Sequence, residues 1–316
     1  MKLPSLLRTP PPQVTLDIGP GRVAAVMVSG THRGLLKVER HAIEPLSADA
    51  IVPSLTAANL VRPAEVVQAI ERVWDRLRIR PTRVALVVPD AVAKVSIVRF
   101  QNVPARPADL EEMIRFQIRK AAPFRLEESQ VSFERGALTP EGQEFVVVQA
   151  RRDVVTEYER ACEAAGAIAG HVDVSTFNVA NAVLAADLGP AGDWLLIHSG
   201  PDHATLAIYR GSHLVFFRHR GAEGDGHLSD LVHQTAMYYQ DRLGGLGFSR
   251  VLGAGPALLP GGGSISRTVE TRVGIRIEPI DLSRAVDVGG SRVLTGEVLD
   301  TLTPAIGLAL AQRPGS

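Results

Sequence analysis

The 316-residue chain has a single cysteine, Cys162, which rules out an intrachain disulfide and any zinc centre built on a thiolate cluster. A reducing compartment is the expected setting. Charge of neither sign is in surplus, 34 Lys and Arg standing against 34 Asp and Glu. A chain built to hold a polyanion carries an excess of basic residues, so no nucleic-acid partner is expected. Long apolar runs are also missing, the most apolar stretches being Val84 to Pro89 and Trp194 to Ile197. These have strand length and fall short of the roughly 18 residues that cross a bilayer, so direct membrane insertion is not expected. Ahead of Pro10-Pro11-Pro12 only Leu6-Leu7 is apolar, too little for the core of a secretion signal. Residues 1–13 therefore read as a loose cytoplasmic tail.

From Val14 the pattern is strand-like through Ile18, turns at Gly19 to Gly21, and continues as two further strands, Val23 to Val28 and Leu35 to Ile43. Pro63 opens an amphipathic helix whose apolar residues, Val66, Val67, Ile70, Val73, Trp74 and Leu77, recur every three or four positions. Val84 to Val88 reads as a buried strand, Val95 to Phe100 as another, and Pro107 opens a helix through Ile118. Two strands about Pro140-Glu141-Gly142, a helix closed by Gly166, a strand at Val172 to Val174 and a helix from Thr176 to Ala186 follow.

The opening motif then returns. Asp17-Ile18-Gly19-Pro20-Gly21-Arg22 aligns without a gap on His198-Ser199-Gly200-Pro201-Asp202-His203, and both copies run into a second strand. The second copy continues through Leu214 to Arg218, a helix from Leu228 to Leu243, and a strand ending at Gly253-Ala254-Gly255. Each half is thus strand, glycine turn, two strands, helix, strand. Two such turns facing each other can grip a polyphosphate through backbone amides, with glycine letting the backbone approach closely. Asp17 is placed to supply the anionic oxygen that magnesium or its water requires. The candidate nucleotide-binding residues are Asp17, Gly19, Gly21, Arg22, Gly200, Thr205, Gly253 and Gly255. An ordinary hairpin turn at Gly19 to Gly21 and a plain strand-to-helix turn at Gly253 to Gly255 are the competing readings.

This order of motifs resembles the actin and hexokinase ATPase superfamily and, within it, the type IV pilus assembly protein PilM family, a cell-division-protein-like branch. The residues that carry the resemblance are Leu16-Asp17-Ile18-Gly19, Asn102-Val103-Pro104 before the Leu110 to Lys120 helix, Ala122-Pro123-Phe124 after it, Asp173 to Ala186, and Ala305 to Leu310. It implies an α/β fold: a duplicated ribonuclease-H-like, actin-like ATPase fold with an inserted α+β subdomain. The implied division is a first subdomain at 14–82, the insertion at 83–170 and a second half at 171–316, with the 171–187 and 303–316 helices packing across the halves. It also implies a groove between the insertion and the first subdomain that holds the cytoplasmic tail of a membrane-anchored PilN-like partner, and so a cytoplasmic scaffold peripheral to the inner membrane. Met113, Phe116, Gln117 and Phe124 are the candidate groove residues, against the alternative that apolar residues at helical spacing serve the core. A homo-oligomer is compatible with this reading.

The departures bear on the cofactor. ATP and magnesium are implied by the superfamily, yet the usual lysine position is Ala24, with Arg22 as a displaced cation, and the second loop has His198 where the family has an aspartate. An imidazole is largely neutral at pH 7 and supplies no carboxylate, which weakens both hydrolysis and binding. The expectation is a non-enzymatic assembly protein with degraded ATP binding, a weak ATPase at most. A small-molecule kinase of the sugar kinase and actin superfamily is the alternative; it needs a general base and intact phosphate loops. A filament-forming division protein would end in a basic amphipathic helix, and the chain ends in Gln312-Arg313-Pro314-Gly315-Ser316.

The remaining signals have plain readings. Six of the nine histidines fall between His198 and His233, but without helical metal-ligand spacing, so no metal site is expected. His213 and His219 read as decoration of an exposed strand, and His227 and His233 as solvent-facing or packing residues. Cys162 lacks the partner motif of a nucleophile, and Arg115, Arg119, Lys120 and Arg125 read as a solvated face.

Overall fold

The structure, a computed structural model, describes residues 10–32, 34–189, 192–200, 203–221, 227–259, 264–287 and 296–313. Most of the tail expected at 1–13 lies outside them, as do Pro201 and Asp202 of the second glycine turn. Strand β1 (Val14–Gly19) is buried along its whole length and pairs antiparallel with β2 (Arg22–His32), from Val14 opposite Met27 to Gly19 opposite Arg22. The turn between them requires a glycine at Gly21, where φ is +74°. Strand β3 (Leu35–Pro45) extends the meander. Helix α1 (Pro63–Leu77) takes Pro63 in its first turn, where no amide is needed, and buries Val66, Ile70, Val73, Trp74 and Leu77 against it. Strand β4 (Arg83–Val88) then runs parallel to β1.

After one 3-10 turn (Asp90–Val92) the chain leaves this sheet. Strand β5 (Ala93–Phe100), helix α2 (Pro107–Arg119), β6 (Ser129–Thr139) and β7 (Gly142–Arg151) build a separate sheet of order β5-β7-β6. One face of it, through Phe145 and Val147, packs on Leu110, Ile114 and Ile118 of α2. Helix α3 (Arg152–Ala164) returns the chain to β8 (Ile168–Val174), which pairs parallel with β4. The insertion is therefore narrower than 83–170: β4, α3 and β8 belong to the first half. The alternation that marks each strand carries no information about which sheet it joins.

Helix α4 (Ser175–Ala185) leads to the second half: β9 (Asp193–Ser199), β10 (His203–Arg210), β11 (His213–Gly221), α5 (His227–Leu243), β12 (Arg250–Ala254), α6 (Ser264–Val273) and β13 (Ile277–Pro279). A two-residue strand, β14 (Val286–Asp287), crosses back to the edge of β3, and α7 (Gly296–Ala311) ends the fold. The first sheet reads β3-β2-β1-β4-β8 inside β14, and the second β11-β10-β9-β12-β13, with the first, fourth and fifth strands parallel in each. The sequence repeat is thus a repeat of topology, the ribonuclease-H-like half written twice.

The two closing helices are exchanged. Val179, Ala180 and Val183 of α4 pack on Trp194, Leu196 and Leu252 of the second sheet, while Leu302, Ala305, Ile306 and Ala309 of α7 pack on Ala24, Val26 and Val38 of the first. The helices cross at Gly307, where a β-carbon would lie 1.7 Å from the Asn178 carbonyl oxygen. Gly307→Ala is expected to destabilise the fold by about 2 kcal/mol, because backbone rather than a side chain must move. Urea unfolding of the two proteins checks it, an unchanged midpoint contradicting the close approach.

Candidate functional site: the cleft between the halves and the groove beside the insertion

Parallel strands of an open sheet present ligand-facing groups at their carboxyl ends, and here those ends from both sheets meet in one cleft. Asp17 lies near the end of β1, Asp90 just past β4, His198 at the end of β9 and Gly255 just past β12. Asp17 is 3% exposed and accepts a hydrogen bond from Arg22 Nη2 at 3.2 Å. Burial pushes its carboxyl up, and the Arg22 and His198 charges pull it back only in part. Asp300, in α7, accepts the Gly255 amide at 2.9 Å and is likewise raised by burial.

Asp90 behaves in the opposite way. It is 3% exposed, yet one carboxylate oxygen accepts the Thr176 amide at 2.8 Å and the other accepts the Thr176 hydroxyl at 2.5 Å and the Thr205 hydroxyl at 2.8 Å. His198 Nδ1 lies 2.8 Å from Thr176 Oγ1, and His219 Nδ1 lies 2.9 Å from Thr205 Oγ1. Burial alone raises this carboxyl, but His198, His219 and Thr176 together hold it well below the usual carboxylate range. Asp90 and Thr176 have no precedent in the motif reading; the one signal for Asp90 was an acidic residue directly after a buried strand, in Val87-Val88-Pro89-Asp90.

Of the residues proposed for a nucleotide, Asp17, Arg22 and Gly255 come together at the cleft, Arg22 reaching Asp17 and the Thr301 carbonyl of α7 and Gly255 the neighbouring Asp300, and several of the set are already engaged. Thr205 is fully buried and its hydroxyl is spent on Asp90. Gly200 is covered by the His203 ring, whose Cε1 would stand 2.3 Å from a β-carbon there. Gly255, at φ +112°, lies flat on the Ser199 carbonyl, and its amide is taken by Asp300. Gly253 is a glycine for packing, since a β-carbon would meet Ile277 Cγ2 at 2.7 Å. His219 is part of this network and not a decoration of an exposed strand; its ring and that of His198 stand 5.8 and 5.9 Å from the His203 ring. Burial raises the Cys162 thiol to about 12, which leaves no thiolate.

A second concavity, of about 960 Å³, opens between the insertion and the body. Its walls are consecutive residues of β6 (132–136) and β8 (171–173), with Phe177 of α4, Tyr209 of β10 and Leu214 of β11. Consecutive rather than alternate residues line it because β6 and β8 are the edge strands of their sheets and turn their backbones toward it. Met113, Phe116, Gln117 and Phe124 do not line it. The groove is lined by Val146 and Val148 of β7, whereas α2 covers the face of Phe145 and Val147; Met113 packs into that small core and Phe116 is 73% exposed. Helical spacing marks an apolar stripe without saying which side of a sheet it covers. Arg115 and Arg119 on the same helix pair with Glu111 and Glu127.

The comparisons with known proteins decide the family. A profile described as type IV pilus assembly protein PilM matches residues 15–241. The chain belongs to the PilM family of type IV pilus assembly proteins. Among solved structures, the PilM-PilN type IV pilus biogenesis complex is matched at a TM-score of 0.81 over 95% of this chain and 98% of that one, with 18% identity. The ethanolamine utilization protein EutJ from Carboxydothermus hydrogenoformans is matched at 0.51 over 96% and 90%, with 12% identity. The fold is thus the actin-like one of the PilM family, and no helix among the described residues is long and apolar enough to cross a membrane.

Because burial penalises the ionised Asp17, its folded-state value lies above the unfolded one, and its charge costs stability at neutral and alkaline pH. Asp17→Asn is therefore expected to be more stable than the parent by about 1 kcal/mol at pH 8. The difference should shrink as pH falls through the raised carboxyl value, since both side chains are then neutral. Thermal melts at pH 8 and pH 4 check the sign.

Proposed function

We propose that this chain is a pilus assembly scaffold whose groove beside the insertion takes the cytoplasmic tail of a PilN-like inner-membrane protein, and that it does so without a magnesium nucleotide. The single observation behind the docking reading is the groove of about 960 Å³ running along two strand edges. Backbone donors and acceptors along β6 and β8 suit an extended peptide, while Val146, Val148, Phe177 and Leu214 offer apolar seats for its side chains. The family of the chain and its match to the PilM-PilN complex support a partner of this kind. Tethering by that partner puts the protein beneath the inner membrane without inserting it.

The cofactor reading rests on the donor set. A bound triphosphate needs amides and hydroxyls facing the cleft and a carboxylate free for magnesium. In this chain Asp300 takes the Gly255 amide, Asp90 takes the Thr176 and Thr205 hydroxyls, and Arg22 is paired with Asp17. A polyphosphate would enter beside three carboxylates, a like-charge arrangement that opposes binding. The residues present do not fit a magnesium triphosphate, and the kinase alternative lacks an open base, since Asp90 is enclosed by its own donors.

A synthetic peptide of the partner's tail should bind the purified protein, and Ser132→Arg, which projects a long cation from β6 into the groove, should weaken it by more than about tenfold, as loss of a central anchor does. Phe116→Ser, on the far side of the inserted sheet, should leave binding unchanged; the reverse pattern would move the docking site to α2. Calorimetry with magnesium ATP up to about millimolar should give no binding heat, the weak limit of a specific site. A saturable heat lost in Asp17→Ala would restore the nucleotide-binding reading of the cleft.

A further inference from the structure

The carboxylate of Asp90 sits where three walls of the groove are joined. Asp90 opens the turn that leads into β5, the first strand of the inserted sheet, and β5 pairs with the groove-lining β7, Val95 opposite Val148 and Ile97 opposite Val146. Thr176 lies in the first turn of α4, directly before the groove residue Phe177. Thr205 stands on β10, whose far end carries Tyr209, and His219 on β11, which carries Leu214; both Tyr209 and Leu214 line the groove. One side chain thus links the root of the insertion, the helix between the halves and the second sheet. Each link is a hydrogen bond of 2.5 to 2.8 Å to a buried charge, the strong class.

The proton positions follow from valence. An ionised carboxylate only accepts, so both hydroxyls must donate to Asp90, and each hydroxyl has a single proton to give. Toward the imidazoles the hydroxyl oxygens therefore accept, which requires a proton on Nδ1 of both His198 and His219. The chain of donors runs inward from each side, from His198 through Thr176 and from His219 through Thr205, and ends on Asp90. Reversing any one of these donors leaves a buried group unpaired, so the arrangement has one low-energy form.

We propose that Asp90 is the positioning residue for the docking groove: by collecting these donors it holds the inserted sheet, α4 and the second sheet at the spacing an extended tail requires. The inference rests on the reading of the groove as a tail site, but its geometric part is measured without the tail. Spin labels at Ser132→Cys and Ser212→Cys, exposed residues of β6 and of the turn between β10 and β11, report the width of the groove. Cys162 is buried and remains unlabelled.

In the parent a narrow distance distribution is expected, with nitrogen NMR placing the His198 and His219 protons on Nδ1. In Asp90→Asn the amide group must donate where the carboxylate accepted, the hydroxyls turn round, and both imidazoles move to the Nε2 proton form. The distance distribution should broaden and affinity for the tail peptide should fall by about tenfold, a typical coupling between sites. Thr205→Val, milder for folding, removes the link on the His219 side and should likewise broaden the distance distribution and weaken tail binding, and Thr205→Ser should restore the parent behaviour. Altered tautomers with an unchanged distance distribution would overturn the proposal, as would Nε2 protons in the parent. If the parent does not bind the tail at all, the groove reading fails, and the distance distribution still decides whether Asp90 sets the spacing.

Discussion

The crossing of α4 and α7 at Gly307 is the contact on which the rest of this molecule depends. It lets two similar sheets share a pair of helices, each helix covering the sheet that its own half does not contain. With backbone against backbone at that point, the two halves cannot drift apart without exposing both apolar layers at once. The carboxyl ends of β1, β4, β9 and β12 are thereby brought to one cleft. The same constraint places the insertion, which grows from the end of β4, against the second sheet and leaves the groove between them.

Inside the cleft, three aspartates of one chemistry show opposite behaviour for a reason that can be counted in donors. Asp90 accepts three short hydrogen bonds and stays ionised in a site that would otherwise neutralise it. Asp17 has a single guanidinium contact at 3.2 Å, Asp300 one backbone amide, and burial dominates both. The cleft is therefore arranged around the protein's own anions.

Much of this architecture was legible in the amino-acid order, and the limits have physical causes. The duplicated half could be read because Asp17-Ile18-Gly19 and His198-Ser199-Gly200 carry the same strand-to-turn pattern, and Pro63 and Pro107 marked helix starts that the structure keeps. The reach of the insertion was misjudged because β4 and β8 declare themselves as strands without declaring a sheet. Met113 and Phe116 fall on the other face of the inserted sheet from the concavity, because periodicity locates an apolar stripe but not its partner. Asp90, Thr176 and His219 were missed because their meaning is entirely tertiary: residues 86 and 43 positions apart in sequence become one hydrogen-bonded unit only after both halves have closed.

The exchange of closing helices also governs how the polypeptide can acquire its shape during synthesis. The face of the first sheet made by Ala24, Val26, Leu36 and Val38 waits for Leu302 to Ala309, which lie far along the chain and are made well after it. Until then the apolar surface of the first half is open to solvent and to chaperones. A tertiary contact between segments so far apart in sequence is slow to close. The first half therefore keeps an uncovered apolar sheet face for as long as the segment from Leu302 to Ala309 has not been made.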